Sequence, residues 1–296
     1  MKVIIMAAGI GARLNSILGD KPKCLLTING QSLISRIIDL FHQRDIHDIT
    51  VVTGYNSHLI HQELEDYDVQ FFHNPFYQVT NSIASLWLAR ELLTEDTTLM
   101  NADLFFEEEI LDLALEQSKD CVMLSDCTRI ENADFRFGVQ GDRIFKTGNQ
   151  LQNHETDCEY VGIVRIDRRF ILTFKNRLGQ MISDGDFRNW WEGVLYMFIT
   201  DGLPVHHVDV SGIFWSEVDN LTDYNRLQTW AFGESKNISS GWDGDVGEDE
   251  PFICLADESD DLVDEPETVE MNLLFKTCGG KRAWLILKKY HVKCWE

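Results

Sequence analysis

Several features that mark common protein classes are missing from this chain of 296 residues. No apolar run approaches the ~18 residues of a membrane-spanning helix, and the apolar start of the chain leads into a glycine loop rather than a signal-peptide pattern. Five prolines and 20 glycines are too few for a proline-rich or fibrous chain. The sequence therefore predicts a globular cytoplasmic protein without membrane insertion.

Cysteine is present, but not in the patterns that mark a disulfide framework or a zinc site. The seven cysteines are an odd number, and no C-x-x-C pair occurs among them. Disulfide frameworks in small secreted domains normally use an even number of cysteines, and zinc knuckles use closely spaced pairs. We therefore expect reduced thiols.

Positive charge is also scarce. The chain has 26 Lys and Arg against 49 Asp and Glu, so its formal net charge is −23. Non-specific binding to nucleic acid depends on clustered Lys and Arg that neutralise phosphates, so this class of partner is excluded. A nucleotide ligand needs only a local cationic pocket and stays compatible with the composition.

The chain divides into three parts by pattern and charge. Residues 1–231 alternate between strand-like and helical patterns and are predicted to form one catalytic domain. Thirteen Asp or Glu and no Lys or Arg occur between Gly241 and Glu270, so residues 232–270 are predicted to be a flexible acidic linker. Residues 271–296 form a basic and partly apolar tail whose role the sequence does not define.

Repeated strand–helix units in the first part predict an α/β fold. The run at positions 2–7 is continuously apolar, which is typical of a parallel strand buried on both faces. Helices are expected over 82–93 and 107–118, and buried strands at 98–101 and 121–126. This alternation predicts a mostly parallel sheet flanked by helices. Strand patterns between 135 and 166 predict a small antiparallel extension on the side where a second substrate would sit.

A glycine loop follows the first strand, with the sequence Ala7-Ala-Gly-Ile-Gly-Ala-Arg13. Small residues at the carboxyl end of a parallel strand allow backbone N–H groups to approach a phosphate chain. A Walker P-loop and a dinucleotide fingerprint do not fit, because G-K-[ST] and the third glycine are absent. Arg13, Lys21 and Lys23 lie close together, and Pro22 fixes the backbone between the lysines. A nucleoside triphosphate suits this group; a tight turn with solvated charges is the alternative.

The run Met6-Ala-Ala-Gly-Ile-Gly-Ala-Arg-Leu14, followed by Lys21-Pro-Lys23, resembles the signature of the sugar-nucleotide pyrophosphorylase-like nucleotidyltransferases, A-A-G-x-G-x-R-L…P-K. The family's usual Pro-Leu-Thr is replaced here by residues 15–18. The resemblance covers roughly residues 1–230. It implies a Rossmann-like domain that couples a nucleoside triphosphate to a phosphorylated metabolite and releases pyrophosphate.

The same resemblance implies roles for individual residues of the loop. Ala8, Gly9 and Gly11 would line the triphosphate. Arg13 would hold the β- and γ-phosphates, and Lys23 would stabilise charge at the α-phosphate.

Two acids are candidates for a Mg²⁺ site. Asp103 follows a short apolar strand, a suitable position for a metal carboxylate, although an N-cap for the next helix is an equal alternative from the residues alone. Asp219 ends the stretch Trp215-Ser-Glu-Val-Asp219, in which strand-like alternation puts Glu217 and Asp219 on one face. This stretch is similar to the family's W-x-E-[IV]-D. The resemblance implies that Asp103 and Asp219 bind Mg²⁺ with Glu217 in support.

Residues 74–87 resemble the choline-phosphate cytidylyltransferase branch, which includes enzymes acting on aminoethylphosphonate and related small head groups. The resemblance implies that Asn81 and Ser82 face the nucleotide at a helix N-terminus, where N–H groups suit anions or base carbonyls. Gly54 and Tyr55, which follow the second strand, would border the base.

A small cationic head group is recognised by aromatic faces and carboxylates. The candidates for this role are Trp190, Glu192, Asp134 and Trp215, and Lys146 is the candidate for the substrate phosphate. A single aromatic residue is more often part of a core than of a cage. The pair Trp190 and Trp191 is the exception, because adjacent residues of a helix cannot both face one way.

These features predict a Mg²⁺-dependent nucleotidyltransferase that couples CTP to a small phosphorylated or phosphonate head group such as choline phosphate or 2-aminoethylphosphonate. A sugar-1-phosphate nucleotidyltransferase using UTP, dTTP or GTP is an alternative on the same fold. A nucleotide-sensing module without catalysis is an alternative of another class. The sequence leaves open whether the chain forms a homo-oligomer.

Overall fold

A computed structural model of the chain describes residues 1–131, 133–239, 271–278 and 281–288. The predicted acidic linker therefore lies outside the described residues from position 240 to its end, and so does the tail beyond residue 288. The chain divides into two compact units, Met1–Asp243 and Gly244–Glu296.

The first unit contains strands and helices in alternation. Its strands are β1 (Lys2–Ala7), β2 (Thr27–Ile28), β3 (Gln31–Ser32), β4 (Ile49–Thr53), β5 (Gln70–His73), β6 (Thr97–Asn101), β7 (Leu104–Phe106), β8 (Cys121–Asp126), β9 (Arg136–Gln140), β10 (Arg143–Thr147), β11 (Cys158–Ile166), β12 (His206–Asp209) and β13 (Trp215–Glu217). Its helices are α1 (Asn15–Leu18), α2 (Leu33–His42), α3 (Ser57–Glu63), α4 (Ser82–Leu88), α5 (Glu108–Leu115), α6 (Arg168–Ser183), α7 (Gly193–Thr200) and α8 (Leu221–Ser239). Short 3₁₀ turns lie at Ala12–Leu14, Lys23–Leu25, Arg90–Leu92 and Asn153–Glu155.

A nine-stranded sheet organises this unit, with the strand order β5-β4-β1-β6-β11-β8-β12-β10-β9. Strand β1 pairs in parallel with β4 and β6, and β4 pairs in parallel with β5. The predicted α/β fold is confirmed. The antiparallel part differs from the expectation in one respect, because β11 runs antiparallel between β6 and β8 rather than beside the sheet. All residues of β11 are buried, so an interior position satisfies its apolar side chains.

The two faces of the sheet pack into separate cores, as the fully buried β1 requires. Ile4 and Met6 join the core that contains residues of α4, α6 and α7. Val3 and Ile5, which point to the other face, join the core that contains residues of α2, α3 and α5. A parallel strand covered on both faces places its carboxyl end at the edge of the sheet, where loops are free to form a site.

Helix α8 extends past position 231, where the sequence places the end of the catalytic domain. Leu227 and Ala231 of this helix are buried against Leu14, Leu33 and Phe105. The second unit contains an antiparallel hairpin of β14 (Met271–Cys278) and β15 (Lys281–Lys288).

The cysteines differ from the sequence expectation at one place, because Cys127 and Cys158 form a disulfide. Cys158 begins β11 and Cys127 follows β8, and these neighbouring antiparallel strands bring the two sulfurs together. Cys24 and Cys121 are buried free thiols, as expected.

Among the residues described, none of the helices is both long and apolar enough to span a lipid bilayer.

Candidate active site

A cavity of about 630 Å³ opens at the carboxyl ends of β1 and β6. Open α/β sheets bind ligands at this edge. The cavity brings together most of the site residues predicted from the sequence. Those that line it are Ala8, Gly9, Gly11, Arg13, Lys23, Asn81, Ser82, Asp103, Asp134, Trp190, Glu192, Glu217 and Asp219.

The glycine loop and Lys23 are packed against each other. Gly11 has a φ of +67°, a conformation that side chains with a Cβ rarely adopt. A methyl group at this position would also collide with the aliphatic part of the Lys23 side chain. A glycine at position 11 therefore both forms the turn and lets Lys23 cross the loop towards the cavity.

Lys23 lies between two carboxylates. Its Nζ is 3.2 Å from Oδ2 of Asp103, and it also donates to Oδ1 of Asp219. Burial alone would lower the pKa of the Lys23 ammonium, but the charges of Asp103 and Asp219 outweigh burial and raise it. Lys23 is therefore charged at neutral pH.

Strand pairing explains why acids distant in sequence meet here. Strand β13 pairs antiparallel with β7, and Glu217 lies opposite Leu104. The backbone N–H of Val218 then donates to the carbonyl of Asp103 at 3.0 Å. Asp219 follows at once, and its Oδ2 accepts a hydrogen bond from Nη2 of Arg13 at 2.8 Å.

The same carboxylates fit a divalent cation. Asp103 and Asp219 converge on one positively charged nitrogen, so their oxygens surround a single position that favours a cation. Burial raises the pKa of Asp103; the charge of Lys23 opposes this shift, and that of Asp219 adds to it. Two such oxygens together with phosphate oxygens form the donor set that Mg²⁺ prefers.

Asn101 holds a second pair of carboxylates deeper in the cavity. Its Nδ2 donates to Oε1 of Glu192 at 3.1 Å and to Oε1 of Glu217 at 3.2 Å. Its Oδ1 accepts from Nε1 of Trp191 at 2.9 Å, which fixes the orientation of the amide. Trp191 is fully buried, so this arrangement is held by the core.

Burial makes both of these carboxylates weaker acids. Burial raises the pKa of Glu192 to about 7. Burial raises the pKa of Glu217 well above its usual value, and the charges of Asp103 and Asp219 add to the shift. Strongly shifted carboxyls in a cleft are typical of functional sites.

We expect the substitution Glu192→Gln to stabilise the ligand-free protein at high pH. The folded pKa of about 7 lies above the ordinary value of 4.5, so wild type loses stability as pH rises from about 4.5 through about 7. Glutamine cannot ionise and escapes this loss. The variant should gain on the order of 2 kcal/mol of unfolding free energy over wild type between pH 5 and pH 8, measured by urea unfolding without nucleotide or metal.

Glu155→Gln is the matched control for this pH series. Glu155 is paired with Lys146 on the surface, and its hydrogen bond with Lys146 lowers its pKa rather than raising it. The control should show no gain with rising pH. A stability difference for Glu192→Gln that does not change with pH would contradict the burial of an ionisable group.

Aromatic rings form one wall of the cavity. The rings of Phe135 and Tyr196 are stacked, with centroids 4.3 Å apart. Trp190 meets Phe135 edge-on and is 50% exposed, while its neighbour Trp191 is fully buried. The two adjacent tryptophans therefore differ in exposure, although they lie just before α7 and not in a helix as the prediction assumed.

Asn81 and Ser82 line the cavity at the start of α4. They also anchor the segment before α7, because Oγ of Ser82 accepts a hydrogen bond from the backbone N–H of Trp191 at 2.9 Å. The N–H of Asn81 donates to the carbonyl of Phe187 at 2.8 Å.

Gly54 and Tyr55 lie behind the glycine loop, outside the set that lines the cavity. The backbone N–H of Tyr55 donates to the carbonyl of Ala8 at 3.2 Å. A Cβ at Gly54 would lie 2.7 Å from that same carbonyl oxygen and 2.7 Å from Cβ of Tyr77. These two residues pack against the glycine loop, and their role beside the base stays a prediction.

Two residues predicted to contact the substrate lie elsewhere. Trp215 is 4% exposed and donates from Nε1 to Oδ2 of Asp126 at 2.9 Å, because β13 packs its indole into the core. Lys146 lies on β10 and pairs with Glu155 at 2.8 Å. Neither residue lines the cavity.

Several lining residues were missed by the sequence analysis. Asn101 had a signal, since a polar residue ends an apolar strand two positions before Asp103. Tyr160 and Tyr196 had no sequence signal that marked them as site residues. Aromatic residues in a buried strand and in an apolar helix match the pattern of a core.

Comparison with known proteins identifies relatives over most of the chain. Residues 3–132 match the MobA-like NTP transferase domain family. The choline-phosphate cytidylyltransferase of Haemophilus influenzae is 31% identical over 231 residues, which cover 77% of this chain and 96% of that protein. The CTP:phosphoglutamine cytidylyltransferase of Campylobacter jejuni is 23% identical over 247 residues, which cover 75% of this chain and 97% of that protein.

Solved structures share the fold. The CTP:phosphocholine cytidylyltransferase of Streptococcus pneumoniae has a TM-score of 0.64 at 22% identity, covering 77% of this chain and 98% of that chain. The inositol-1-phosphate CTP transferase of T. maritima has a TM-score of 0.65 at 19% identity, covering 78% of this chain and 95% of that chain.

Proposed function

We propose that this chain, which belongs to the MobA-like NTP transferase family and is a nucleotidyltransferase, couples CTP to a small phosphorylated or phosphonate head group and releases pyrophosphate. Its relatives of known name include cytidylyltransferases for choline phosphate, phosphoglutamine and 2-aminoethylphosphonate. These names support CTP as the nucleotide and a small acceptor as its partner.

One observation carries the proposal: a single cavity contains the glycine loop, Lys23, Asp103 and Asp219. Small loop residues leave backbone N–H groups accessible to phosphate oxygens. Lys23 adds a fixed positive charge, and the two acids add oxygen ligands. This combination is what transfer of a nucleotidyl group between phosphates requires, because catalysis there comes mainly from positioning and charge stabilisation.

Asp103 and Asp219 are the residues that we propose to hold Mg²⁺. When bound, the ion would neutralise phosphate charge and orient the triphosphate. Lys23 would then release the carboxylates and turn to the α-phosphate, which it can reach from the same loop. Arg13, which is 67% exposed, is free to turn from Asp219 to the β- and γ-phosphates.

The chemical step follows from this arrangement. An oxygen of the acceptor's phosphate or phosphonate attacks the α-phosphorus of CTP and forms a new P–O bond. The bond between the α-phosphorus and the oxygen bridging to the β-phosphate breaks, and that oxygen leaves with its electron pair as pyrophosphate. Lys23 stabilises the charge that develops on the α-phosphoryl oxygens. No covalent intermediate with the protein is needed.

The inner part of the cavity suits the acceptor. Glu192 and Glu217 supply carboxyl oxygens there, while Trp190 and the stacked rings of Phe135 and Tyr196 supply an aromatic wall. Carboxylates and aromatic faces together favour a small cationic group. Asp134 lies at the same wall and is a further candidate contact.

Pyrophosphate release across a matrix of substrates tests the proposal. CTP, UTP, dTTP and GTP would each be combined with choline phosphate, phosphoethanolamine, 2-aminoethylphosphonate and glucose 1-phosphate in the presence of Mg²⁺. We expect the highest kcat/KM for CTP with one of the amino head groups. Turnover of glucose 1-phosphate with UTP or dTTP alone would replace this proposal with a sugar-1-phosphate nucleotidyltransferase. Nucleotide binding without any turnover would indicate a sensing module.

We also propose that residues 1–231, together with the rest of α8, carry the whole activity. Ending the chain after Asp243 keeps α8 intact and removes the second unit. We expect kcat/KM to stay within about threefold of the full chain, because the site residues all lie in the first unit. A large loss of activity with an unchanged circular dichroism spectrum would show that the second unit completes the site.

A further inference from the structure

The inner end of the cavity contains hydrogen-bond acceptors that lack donors. Glu192 and Glu217 share the single Nδ2 group of Asn101 at 3.1 and 3.2 Å, and the Glu192 carboxylate also accepts from its own backbone N–H. Each ionised carboxylate has about four lone-pair sites, so these donors leave most of this capacity unused. Buried acceptors in this state are stabilised by a ligand that brings N–H or O–H groups.

Within the described ranges, neither carboxylate forms an ion pair. Lys23 is the nearby cation, and it is already engaged by Asp103 and Asp219. Burying an unpaired carboxylate is costly, and burial accordingly raises the pKa of Glu192 to about 7. A cationic ligand would remove that cost.

The hydroxyl of Tyr160 is a separate observation at the same place. Tyr160 is 6% exposed and lines the cavity, and its hydroxyl is buried without a hydrogen-bond partner. Burial raises the pKa of the Tyr160 hydroxyl, and the charges of Glu192 and Glu217 add to this shift. A buried phenol that remains unpaired next to two carboxylates indicates that its partner is a ligand.

We infer that Glu192, Glu217 and Tyr160 bind an ammonium group that carries N–H bonds, so that the acceptor is a primary or secondary amine rather than a quaternary one. The inference rests on the proposed function, and it names the substrate class. A primary ammonium has three donors, one for each of the three acceptors. A trimethylammonium group has none, and it would leave the Tyr160 hydroxyl unpaired.

The aromatic wall favours the same conclusion. A quaternary ammonium is held by open aromatic faces that surround it. The stacking of Phe135 on Tyr196 covers one face of each ring, and the edge-on contact with Trp190 engages Phe135 further. Fewer faces remain for a trimethylammonium group, whereas Glu192 and Glu217 line the cavity with carboxyl oxygens.

Equilibrium binding of two reaction products tests the inference without turnover. CDP-ethanolamine and CDP-choline have the same nucleotide and differ in three methyl groups, and CMP is the reference. Calorimetry would be done at pH 8, where Glu192 is ionised, with EDTA present. We expect CDP-ethanolamine to bind at least about tenfold more tightly than CDP-choline, because a site built from hydrogen-bond acceptors rejects a ligand without donors.

Two variants identify the residues responsible. Glu192→Gln removes one charge with little change in shape, and Tyr160→Phe removes only the hydroxyl. Each should reduce the preference for CDP-ethanolamine over CDP-choline by about fivefold or more, mainly by weakening CDP-ethanolamine. This preference is a ratio and does not depend on the fraction of folded protein. Glu155→Gln, which removes a surface carboxylate outside the cavity, should leave the preference unchanged.

The outcomes separate this inference from the proposed function. Equal binding of the two products, or tighter binding of CDP-choline, would overturn the inference while cytidylyltransfer stands. A preference for CDP-ethanolamine that persists in both variants would move amine recognition to other residues and overturn the assignment. Failure of all three cytidine nucleotides to bind, together with no pyrophosphate release from CTP, would overturn both.

Discussion

Replacing Lys23 with alanine should lower turnover by about 100-fold or more, while raising the affinity of the ligand-free protein for Mg²⁺. The loss in turnover is that of removing one preorganised charge donor from the reacting phosphate. The gain in metal affinity has a different cause. The Lys23 ammonium occupies the position between Asp103 and Asp219, so it competes with any other cation for these oxygens. Steady-state pyrophosphate release and a Mg²⁺ titration followed by thermal shift measure the two effects.

Lys21→Ala is the matched control for this substitution. It removes the same charge from the same loop, but Lys21 is exposed and lies across Pro22 from Lys23. Turnover and Mg²⁺ affinity should both stay close to wild type. A folded Lys23→Ala protein with wild-type turnover would remove Lys23 from the mechanism. A loss of turnover without the gain in Mg²⁺ affinity would mean that the two carboxylates do not bind the ion.

The strand–helix alternation of the first unit was predictable because β1, β4 and β8 are buried on both faces. The predicted strand at 121–126 coincides with β8, since a short apolar run of this length is consistent with a buried strand. The predicted helix over 82–93 was too long. Helix α4 ends at Leu88, and a 3₁₀ turn follows in which Arg90 donates to the carbonyl of Trp87 and stacks on its ring. A contact of this kind between neighbouring side chains leaves no periodic pattern in the sequence.

The position of β11 could not be predicted for a related reason. Its sequence is apolar enough for an interior strand, but nothing in it specifies the direction of its neighbours. The antiparallel pairing with β8 places Tyr160 opposite Ser125, and its side chain lines the cavity. Tyr160, whose sequence context predicts a core residue, is therefore a candidate for ligand contact.

The site was predictable where small or charged residues follow a strand. Gly11, Asp103 and Asp219 fall in this class, because such residues at strand ends have few structural roles other than turns and ligand contacts. Trp215 was a candidate for the cage although a single aromatic residue is more often part of a core. In the structure its indole packs in the core, where Oδ2 of Asp126 accepts the indole N–H.

The two ends of the cavity differ in their charged groups. At the outer end two carboxylates meet a lysine and an arginine, so positive and negative groups balance before any ligand arrives. At the inner end two carboxylates meet an amide and a backbone N–H, and among the residues described neither forms an ion pair. Phosphates therefore suit the outer end, where the cations lie, and a positive group suits the inner end.

Substituting either Asp103 or Asp219 with asparagine should reduce turnover by about 100-fold or more and shift the Mg²⁺ dependence to higher concentration. Each change keeps the shape of the side chain and removes one charge from a shared ion site. Because both acids act through the same ion, the loss in the double variant should be smaller than the product of the two single losses. Pyrophosphate release against Mg²⁺ concentration for wild type, both single variants and the double variant measures this coupling.

Asp209→Asn controls for the loss of one acidic charge near the sheet edge. Asp209 ends β12, and its Oδ1 accepts from Ser211, a role that an asparagine oxygen can fill. Its Mg²⁺ dependence should match that of wild type. Nucleotide binding in EDTA should be unchanged or slightly tighter in both single variants, since a negative charge has left an anion site. If instead the single losses multiply and the Mg²⁺ dependence does not move, Asp103 and Asp219 do not share an ion. The convergence of both carboxylates on Lys23 would then serve only to position that lysine.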